Sequence, residues 1–366
     1  MAEEKTNELG NHIEMKKVWE VLAILVVTAI IWNLPTSSFG INGLTVVQQR
    51  IIAIFVFATL SWLTECIPAW ATSLSIMAIM CVTVSKNAFG VFKSDGIGEL
   101  LDSKEIMASF ADPIIMLFLA GFILAIAASK SGLDTLLARN LIKPFGNKSE
   151  NVLLGFLLIT GLFSMFISNT ATAALMLTFL TPVFAALPAN GKGRIALTMS
   201  IPIAANLGGM GTPIGTPPNL IALKYLNDPA GLNMNIDFMH WMAFMAPLVI
   251  VLLLLSWRII LYFFPFTQKT IHLKIDGEVH RGWRMWVVII TFIVTILLWV
   301  IPKDVTGIDT NTVSMIPMAI FAITGVITAK DMQEINWSVI WMVAGGFAIG
   351  LGMNGSGLAD AAIESI

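Results

Sequence analysis

Apolar residues follow one another in stretches of about 20 along most of the chain, which is the length that an α-helix needs to cross a bilayer. Polar and charged residues are concentrated between these stretches. Residues 132–144, with charges between helically spaced apolar side chains, predict a helix at the lipid headgroups, and residues 235–242 are a weaker candidate for the same role. The pattern predicts an all-α polytopic membrane protein with spans near 18–34, 46–63, 67–85, 113–129, 194–226, 243–264, 284–302, 311–328 and 337–354.

Two of the apolar stretches are interrupted. Residues 151–191 contain no Asp, Glu, Lys, Arg or His, yet Ser168, Asn169 and Thr170 lie near their centre. Hydrocarbon offers amide and hydroxyl groups no hydrogen-bond partner, so these side chains need a partner inside the protein or a bound solute. Residues 195–223 also lack ionisable groups and contain the run GGMGTPIGTPPN, which a continuous helix would not tolerate. Together the two interruptions indicate a solute-binding site inside a membrane.

Basic residues flank the first of these stretches on both sides. Lys143 and Lys148 precede it, and Lys192 and Arg194 follow it. Because lysine and arginine concentrate in cytoplasmic loops, residues 149–189 are predicted to be a re-entrant hairpin with both ends in the cytoplasm. A cytoplasmic amino terminus then places most of the 21 basic residues on the inner side. The sequence therefore predicts a multi-pass protein of the cell (inner) membrane.

The amino-acid composition excludes several classes of protein. The chain is 57% hydrophobic and only 12% charged, with a mean hydropathy of +0.83, which excludes an ordinary soluble domain. Cys66 and Cys81 have neither disulfide-framework nor metal-ligand spacing. Basic clusters interleaved with aromatic residues are missing, so no nucleic-acid partner is expected. Without a His-Glu-x-x-His motif or a buried carboxylate pair, an intramembrane enzyme is not expected, nor is an organic cofactor.

A short pattern recurs at an offset of 225 residues. Gly-Phe at 121–122 and Ser-Gly-Leu at 131–133 return at 346–347 and 356–358. The predicted number of crossings between the two copies is odd, so they are expected to run in opposite directions, as in inverted-repeat secondary transporters. The equivalent of Ser168 would lie beyond the last residue, so the second repeat is expected to be incomplete.

The spans and the repeat predict a division of the chain by role. It comprises a cytoplasmic tail (1–17), scaffold spans (18–112), a first transport unit (113–242) with the hairpin 149–189 and a broken helix 194–226, further scaffold spans (243–328), and the start of a second transport unit (329–366).

The residues at the two interruptions have the chemistry of an ion site. Freed carbonyls and short polar side chains supply oxygen ligands for a small hard cation, and Ser164 adds another oxygen four residues before Ser168. The N–H groups at the start of the following half-helix point towards negative charge. Thr216 and Pro217 predict a second helix start with the threonine as cap, and carbonyls near Gly215 are available to the same cation. A cation and an anion can therefore share one pocket.

The polar triplet in an apolar hairpin, the Gly-Thr-Pro-Pro-Asn run at 215–219 and the Glu-Cys-Ile-Pro at 65–68 resemble the divalent anion:sodium symporter family. Members of that family move dicarboxylates, citrate or sulfate. The resemblance implies a homodimer of scaffold and transport domains that works by an elevator motion. It also implies that Asn169 and Thr170 hold a carboxylate of the anion, with Thr216 and Pro217 at the matching tip. The sodium ligands that it implies are Ser164, Ser168, Asn169 and Gly215.

These points predict a sodium-coupled symporter that imports a small divalent anion, a C4-dicarboxylate such as succinate, by alternating access. Sulfate or citrate uptake is an alternative within the same family, and a related exchanger of ions or protons against an oxyanion is another. Exchangers usually carry an acidic residue in their broken helices, and residues 151–191 and 195–223 contain none, which favours cation-coupled symport. A purely structural interpretation of the triplet is hydrogen bonding between neighbouring helices.

Overall fold

The structure, a computed structural model, describes residues 15–185, 187–188, 191–228, 232–271 and 282–365. Short 3₁₀ turns at 36–39, 90–92, 109–111, 143–145 and 331–334 join some of the helices. The α-helices are α1 (Met15–Asn33), α2 (Val46–Thr64), α3 (Ala69–Thr83), α4 (Ser103–Ala108), α5 (Pro113–Ser131), α6 (Leu133–Ile142), α7 (Ser149–Ser164), α8 (Asn169–Ala185), α9 (Lys192–Gly209), α10 (Pro217–Leu226), α11 (Phe238–Phe263), α12 (Trp283–Val300), α13 (Lys303–Thr306), α14 (Thr310–Ile323), α15 (Trp337–Gly355) and α16 (Leu358–Glu364).

The predicted all-α polytopic fold is confirmed. Each predicted span coincides with a helix, except that the span at 194–226 is divided into α9 and α10. Most of the predicted tail, residues 1–14, lies outside the described residues, as do residues 186 and 189 of the predicted hairpin. Among the described residues, five stretches are long and apolar enough to cross a membrane: Val46–Thr64, Ser103–Ser131, Phe238–Phe263, Trp283–Val300 and Trp337–Gly355.

The two predicted interfacial segments have different outcomes. Helix α6 with the 3₁₀ turn that follows it covers residues 133–145, close to the predicted 132–144. The segment 235–242 is not a separate element, because α11 begins at Phe238 and continues for 26 residues. Asp237 caps this helix by accepting a hydrogen bond of 2.8 Å from the backbone N–H of His240. The predicted start of this span at 243 was therefore five residues too late.

The chain forms two compact units, one of residues 1–112 with 337–366 and the other of residues 113–336. In the first unit, α2 starts with a capping box in which Thr45 and Gln48 bond each other's backbone N–H groups. The Gln48 amide also donates to the carbonyl of Ser356 over 2.8 Å, which ties α2 to the end of α15. A Cβ on Gly345 would lie 2.6 Å from the Ser73 side chain, so α15 and α3 pack closely here. The assignment of segments to scaffold and transport roles stays a prediction.

The sequence repeat has a counterpart in local structure. Gly132 (φ 73°) and Gly357 (φ 70°) both adopt the left-handed conformation between a long helix and a short one. The N–H of Gly132 donates to the carbonyl of Ser129, and that of Gly357 donates to the carbonyl of Asn354, both over 3.0 Å. These pairs are related by the same offset of 225 residues, so the two copies share a helix–turn–helix conformation. That the copies run in opposite directions remains a prediction.

In the second unit, the hairpin of α7 and α8 starts beside the segment 266–269, and α9, the helix that follows the hairpin, starts beside the same segment. The backbone N–H of Ser149 donates to the carbonyl of Lys269 over 3.1 Å, and its hydroxyl donates to the carbonyl of Gln268 over 2.5 Å. At the other end, Gly193 lies against the ring of Phe266. The chain therefore runs along α7 to the turn and returns along α8. With 16 residues, α7 extends about 24 Å, compared with about 30 Å for a bilayer core. That this hairpin enters the membrane stays a prediction.

Helices α7 and α9 approach each other without intervening side chains. A Cβ built on Gly208 would lie 2.2 Å from the carbonyl oxygen of Gly161 and 2.5 Å from its Cα. This contact between two backbones fixes the distance between the helices, as small residues do in membrane proteins. The apolar core beside it includes the fully buried side chains of Phe156, Leu153 and Leu197.

An ion pair joins the end of α5 to the loop after α14. The Lys130 ammonium lies 2.5 Å from the carboxylate of Asp331, which also accepts hydrogen bonds from the N–H and hydroxyl of Thr328. Hydrogen bonds from Lys130 and Thr328 lower the pKa of Asp331 from 3.8 to about 2.

This lowered pKa predicts a loss of stability in acid. A carboxyl whose pKa is lower in the folded state contributes stability that is fully present above its unfolded value and disappears as the pH falls through its folded value. We expect the purified protein to have a melting temperature several degrees above that of Asp331→Asn at pH 6, and this difference to shrink between about pH 4 and pH 2. Thermal melts of both proteins across this pH range test the contribution of the Lys130–Asp331 ion pair. A difference in melting temperature that persists unchanged at pH 2 contradicts it.

Candidate functional site

The hairpin tip is a break of four residues between α7 and α8. The N–H groups of Phe166 and Ile167 both donate to the carbonyl of Phe163, so the last turn of α7 tightens before it ends. Ser168 then starts α8: its carbonyl accepts from the N–H of Thr172 over 2.9 Å, and its hydroxyl accepts from the N–H of Ala171 over 3.3 Å. Ser168 is therefore the N-cap of α8. The first two N–H groups of α8, at residues 169 and 170, have no acceptor within their own helix.

The second break, between α9 and α10, covers residues 210–216. Three side chains bond carbonyls of this break, of its flanks or of the hairpin tip, as apolar surroundings require. The buried hydroxyl of Thr212 donates to the carbonyl of Met165 and so fastens this loop to the hairpin tip. The indole N–H of Trp241 on α11 donates to the carbonyl of Met210 over 3.0 Å. The amide of Asn219 donates to two carbonyls, those of residues 209 and 212, over 2.8 and 2.7 Å.

Because Asn219 is buried and holds two carbonyls, we expect Asn219→Ala to lower the melting temperature of the protein by several degrees. Each carbonyl that is left without a donor costs about 1–3 kcal/mol. Asn140→Ala is the matched control, since Asn140 is exposed on α6 and accepts only from Lys143 nearby. Equal melting temperatures for the two variants would show that Asn219 does not hold the broken loop.

Three oxygen atoms meet where the two breaks face each other. The hydroxyl oxygen of Ser164 lies 2.7 Å from the side-chain oxygen of Asn169 and 2.7 Å from the carbonyl oxygen of Ala205. Ser164 is fully buried, and Ala205 on α9 is 2% exposed. A hydroxyl has one proton to donate, so only one of these two contacts can be a hydrogen bond at a time. The cluster therefore has more oxygen lone pairs than protons, which is the property of a site for a small hard cation.

Two glycines complete the wall of the cluster. A Cβ on Gly209 would lie 2.5 Å from the side-chain oxygen of Asn169, and a Cβ on Gly215 would lie 2.4 Å from the carbonyl oxygen of Gly209. The backbone at Gly209 therefore approaches the Asn169 amide directly, the backbone at Gly215 packs against Gly209, and neither position has room for a side chain. On the opposite side, the amide nitrogen of Asn169 donates to the side-chain oxygen of Asn206 over 3.2 Å.

Comparison with known proteins assigns the chain to a family. The CitMHS family model, described as a citrate transporter, matches residues 55–366. The chain belongs to this family. The sodium-dependent dicarboxylate transporter SdcS of Staphylococcus saprophyticus is 32% identical over 348 residues, which is 85% of this chain and 63% of SdcS. SdcS of Staphylococcus aureus is 31% identical over 345 residues, with 84% and 63% of the two chains covered.

The inorganic phosphate transporter PHO87 of Saccharomyces cerevisiae is a further relative of this citrate transporter family member. It is 28% identical over 348 residues, which is 94% of this chain and 36% of PHO87. The chain thus spans between about a third and two thirds of the length of these relatives. The family and its relatives bear the names of transporters, not of enzymes, and the resemblance to divalent anion:sodium symporters is confirmed.

Some of the predicted site residues of this family member are in contact in the structure, and others are not. Ser164 and Asn169 are in contact, and Gly215 reaches Asn169 through Gly209. Thr170 is exposed on the first turn of α8. Thr216 is the N-cap residue of α10, as predicted, but its side chain makes no capping hydrogen bond.

Pro217 and the residue after it make the start of α10 unusual. Both are prolines in the first turn of the helix and have no N–H group. The N-terminal end of α10 therefore offers an anion the positive end of the helix dipole, but it lacks the free backbone N–H groups that the start of α8 has. Among the described residues, no group of three or more His, Cys, Asp or Glu side chains comes together as a metal site.

Three contributors to the site were not predicted. The carbonyl of Ala205 has no sequence signal, because every residue has a carbonyl. Asn206 lies in the stretch 195–223, which is free of ionisable groups, and an isolated amide there is a signal that was available. Asn219 belongs to the motif that indicated the break, but only the structure shows that it bonds two carbonyls of the loop.

Proposed function

We propose that the chain forms the sodium-binding half of a sodium-coupled symporter that imports a divalent anion, with a C4-dicarboxylate such as succinate as substrate. The observation that carries the proposal is the cluster of Ser164, Asn169 and the Ala205 carbonyl, in which three oxygens share one hydroxyl proton. A sodium ion balances the excess of lone pairs, and uncharged oxygens bind it weakly enough to release it.

The same arrangement suits an anion beside the cation. No Lys or Arg lies in residues 151–191 or 195–223, so the first turn of α8 and the bound cation supply the positive field. Thr170 is exposed on that turn and offers a hydroxyl to a carboxylate. Because the sodium ion is the largest local charge, the anion binds well only after sodium has bound, which makes uptake dependent on the sodium gradient. Alternating access by an elevator motion and assembly as a homodimer belong to the same proposal.

The dicarboxylate is chosen over other divalent anions because the SdcS relatives are named for dicarboxylates and for sodium dependence. Inorganic phosphate is a second candidate, favoured by the name of PHO87, and the family name favours citrate. All three anions present oxygens that the N–H groups at the start of α8 can bind.

Uptake of labelled succinate into proteoliposomes that contain the full-length protein tests the proposal. We expect uptake with an inward sodium gradient, and none when potassium or choline replaces sodium. Unlabelled succinate, citrate, phosphate and sulfate, added in turn as competitors, identify the preferred anion. Uptake that is equally fast without sodium would refute sodium coupling. If phosphate inhibits at far lower concentrations than unlabelled succinate does, phosphate and not a dicarboxylate is the preferred substrate.

A further inference from the structure

Asn206 is the exposed neighbour of Ala205 on α9, and it takes part in the amide contact with Asn169. We infer that Asn206 is a further anion-binding residue, and that sodium makes it competent by turning the amides of Asn169 and Asn206 together. The inference rests on the proposed function, because it deepens the sodium and anion sites described above.

In the observed arrangement, the amides face in defined directions. The oxygen of Asn169 points to Ser164, and its nitrogen points to the oxygen of Asn206. The amide nitrogen of Asn206 is thereby directed away from Asn169, on an exposed side chain. Two amide nitrogens, one from each residue, thus have protons to offer to a ligand. The side-chain oxygen of Asn169 faces the cation cluster.

A second arrangement uses the same atomic positions. If both amides turn by half a turn, the nitrogen of Asn206 donates to the oxygen of Asn169, the nitrogen of Asn169 donates to Ser164, and Ser164 donates to the Ala205 carbonyl. Each of the three contacts then contains one proton, so this network is complete without a cation. Neither amide can turn alone, because two oxygens or two nitrogens would then face each other across 3.2 Å.

The site has room for this rotation because Gly209 has no side chain. A Cβ there would lie 2.5 Å from the oxygen and 3.2 Å from the nitrogen of the Asn169 amide. Asn169 is half-buried and Asn206 is exposed, so neither amide is locked by packing on all sides.

The two arrangements present opposite chemistry to an anion. With sodium bound, the cluster needs the oxygen of Asn169, and the Asn206 nitrogen is directed outward as a donor. Without sodium, the completed network directs the Asn206 oxygen outward, and an oxygen repels a carboxylate. Sodium binding is in this way converted into anion affinity by a hydrogen-bond rearrangement, in addition to the direct charge effect.

The inference predicts that Asn206→Leu weakens anion binding but not sodium binding. Binding of ²²Na⁺ without anion is expected to stay within about twofold of wild type, because water replaces the lost amide equally in both arrangements. Succinate affinity at saturating sodium is expected to fall about tenfold, the lower end of the effect of one hydrogen bond to a charged group. The carboxylate in Asn206→Asp can accept hydrogen bonds but cannot donate them. This variant should therefore have a still lower succinate affinity and an unchanged sodium affinity. Asn140→Asp is the charge control, since it makes the same change at an exposed position on α6.

The outcomes separate this inference from the proposed function. If wild type binds ²²Na⁺ and succinate and Asn206→Leu binds both equally well, Asn206 is not an anion ligand, and the sodium site stands. If Asn206→Leu loses sodium and succinate affinity together, Asn206 has only a structural role in the cation cluster, and the inference is again overturned. If wild type shows no sodium binding, the proposed function itself fails.

Discussion

Asn169→Ala is expected to abolish anion uptake at limiting sodium, while folded protein is retained. The substitution removes the proposed cation ligand, the amide oxygen 2.7 Å from Ser164, together with the amide nitrogen that contacts Asn206. Hydrogen bonds and ligand contacts of charged groups contribute about 1.5–3 kcal/mol each, so sodium binding should weaken by about 10- to 100-fold. Asn169 is half-buried on the first turn of α8, so its loss leaves no large cavity in the core. The measurement is the sodium concentration at half-maximal succinate uptake, normalised to folded protein in the membrane.

Asn140→Ala is the control for this substitution as well, because it makes the same chemical change on the exposed surface of α6 in the same unit. It should match wild type in uptake. Uptake by Asn169→Ala at the level of Asn140→Ala, at limiting sodium, would remove Asn169 from the cation site.

Gly208→Ala is expected to prevent the second unit from folding correctly. The added methyl group would lie 2.2 Å from a backbone oxygen and 2.5 Å from the Cα of Gly161, and neither atom can move without displacing a whole helix. Overpacking of a core typically costs about 1–3 kcal/mol, and a clash between two backbones falls at or above the upper end of that range. We expect little monodisperse protein in detergent, or a melting temperature lower by many degrees.

Gly282→Ala is the matched change, because a Cβ at Gly282 meets nothing within 4 Å and its φ of −89° suits any residue. Size-exclusion chromatography and thermal melts of the two variants compare them directly. Similar yields and melting temperatures would mean that α7 and α9 are not held at the distance described.

Much of the fold follows from local sequence properties. The spans are predictable because the bilayer fixes their length, and the ends of α2, α5 and α15 fall within two residues of the expected positions. The break between α9 and α10 is predictable from a run of glycines and prolines that cannot form a helix. The two left-handed glycines, Gly132 and Gly357, continue the repeat visible in the sequence.

The site is only partly predictable, because its geometry depends on contacts between distant segments. Ser164 and Asn169 were expected from the hairpin, but their partner on α9 is set by the close approach of Gly161 and Gly208. A backbone ligand such as the Ala205 carbonyl cannot be identified before that approach is known. Thr216 shows the limit of propensity: threonine is a good N-cap in general, yet here its hydroxyl makes no capping bond.

Direct binding of ²²Na⁺ to the purified protein, with wild type compared to Ser164→Ala, tests most directly whether the oxygen cluster holds sodium. Ser129→Ala, an exposed serine on α5, controls for the loss of a hydroxyl. At constant ionic strength we predict saturable binding to wild type and to Ser129→Ala that excess potassium does not displace, and at least tenfold weaker binding to Ser164→Ala. Equal sodium binding by all three proteins, or none by wild type, would contradict the account.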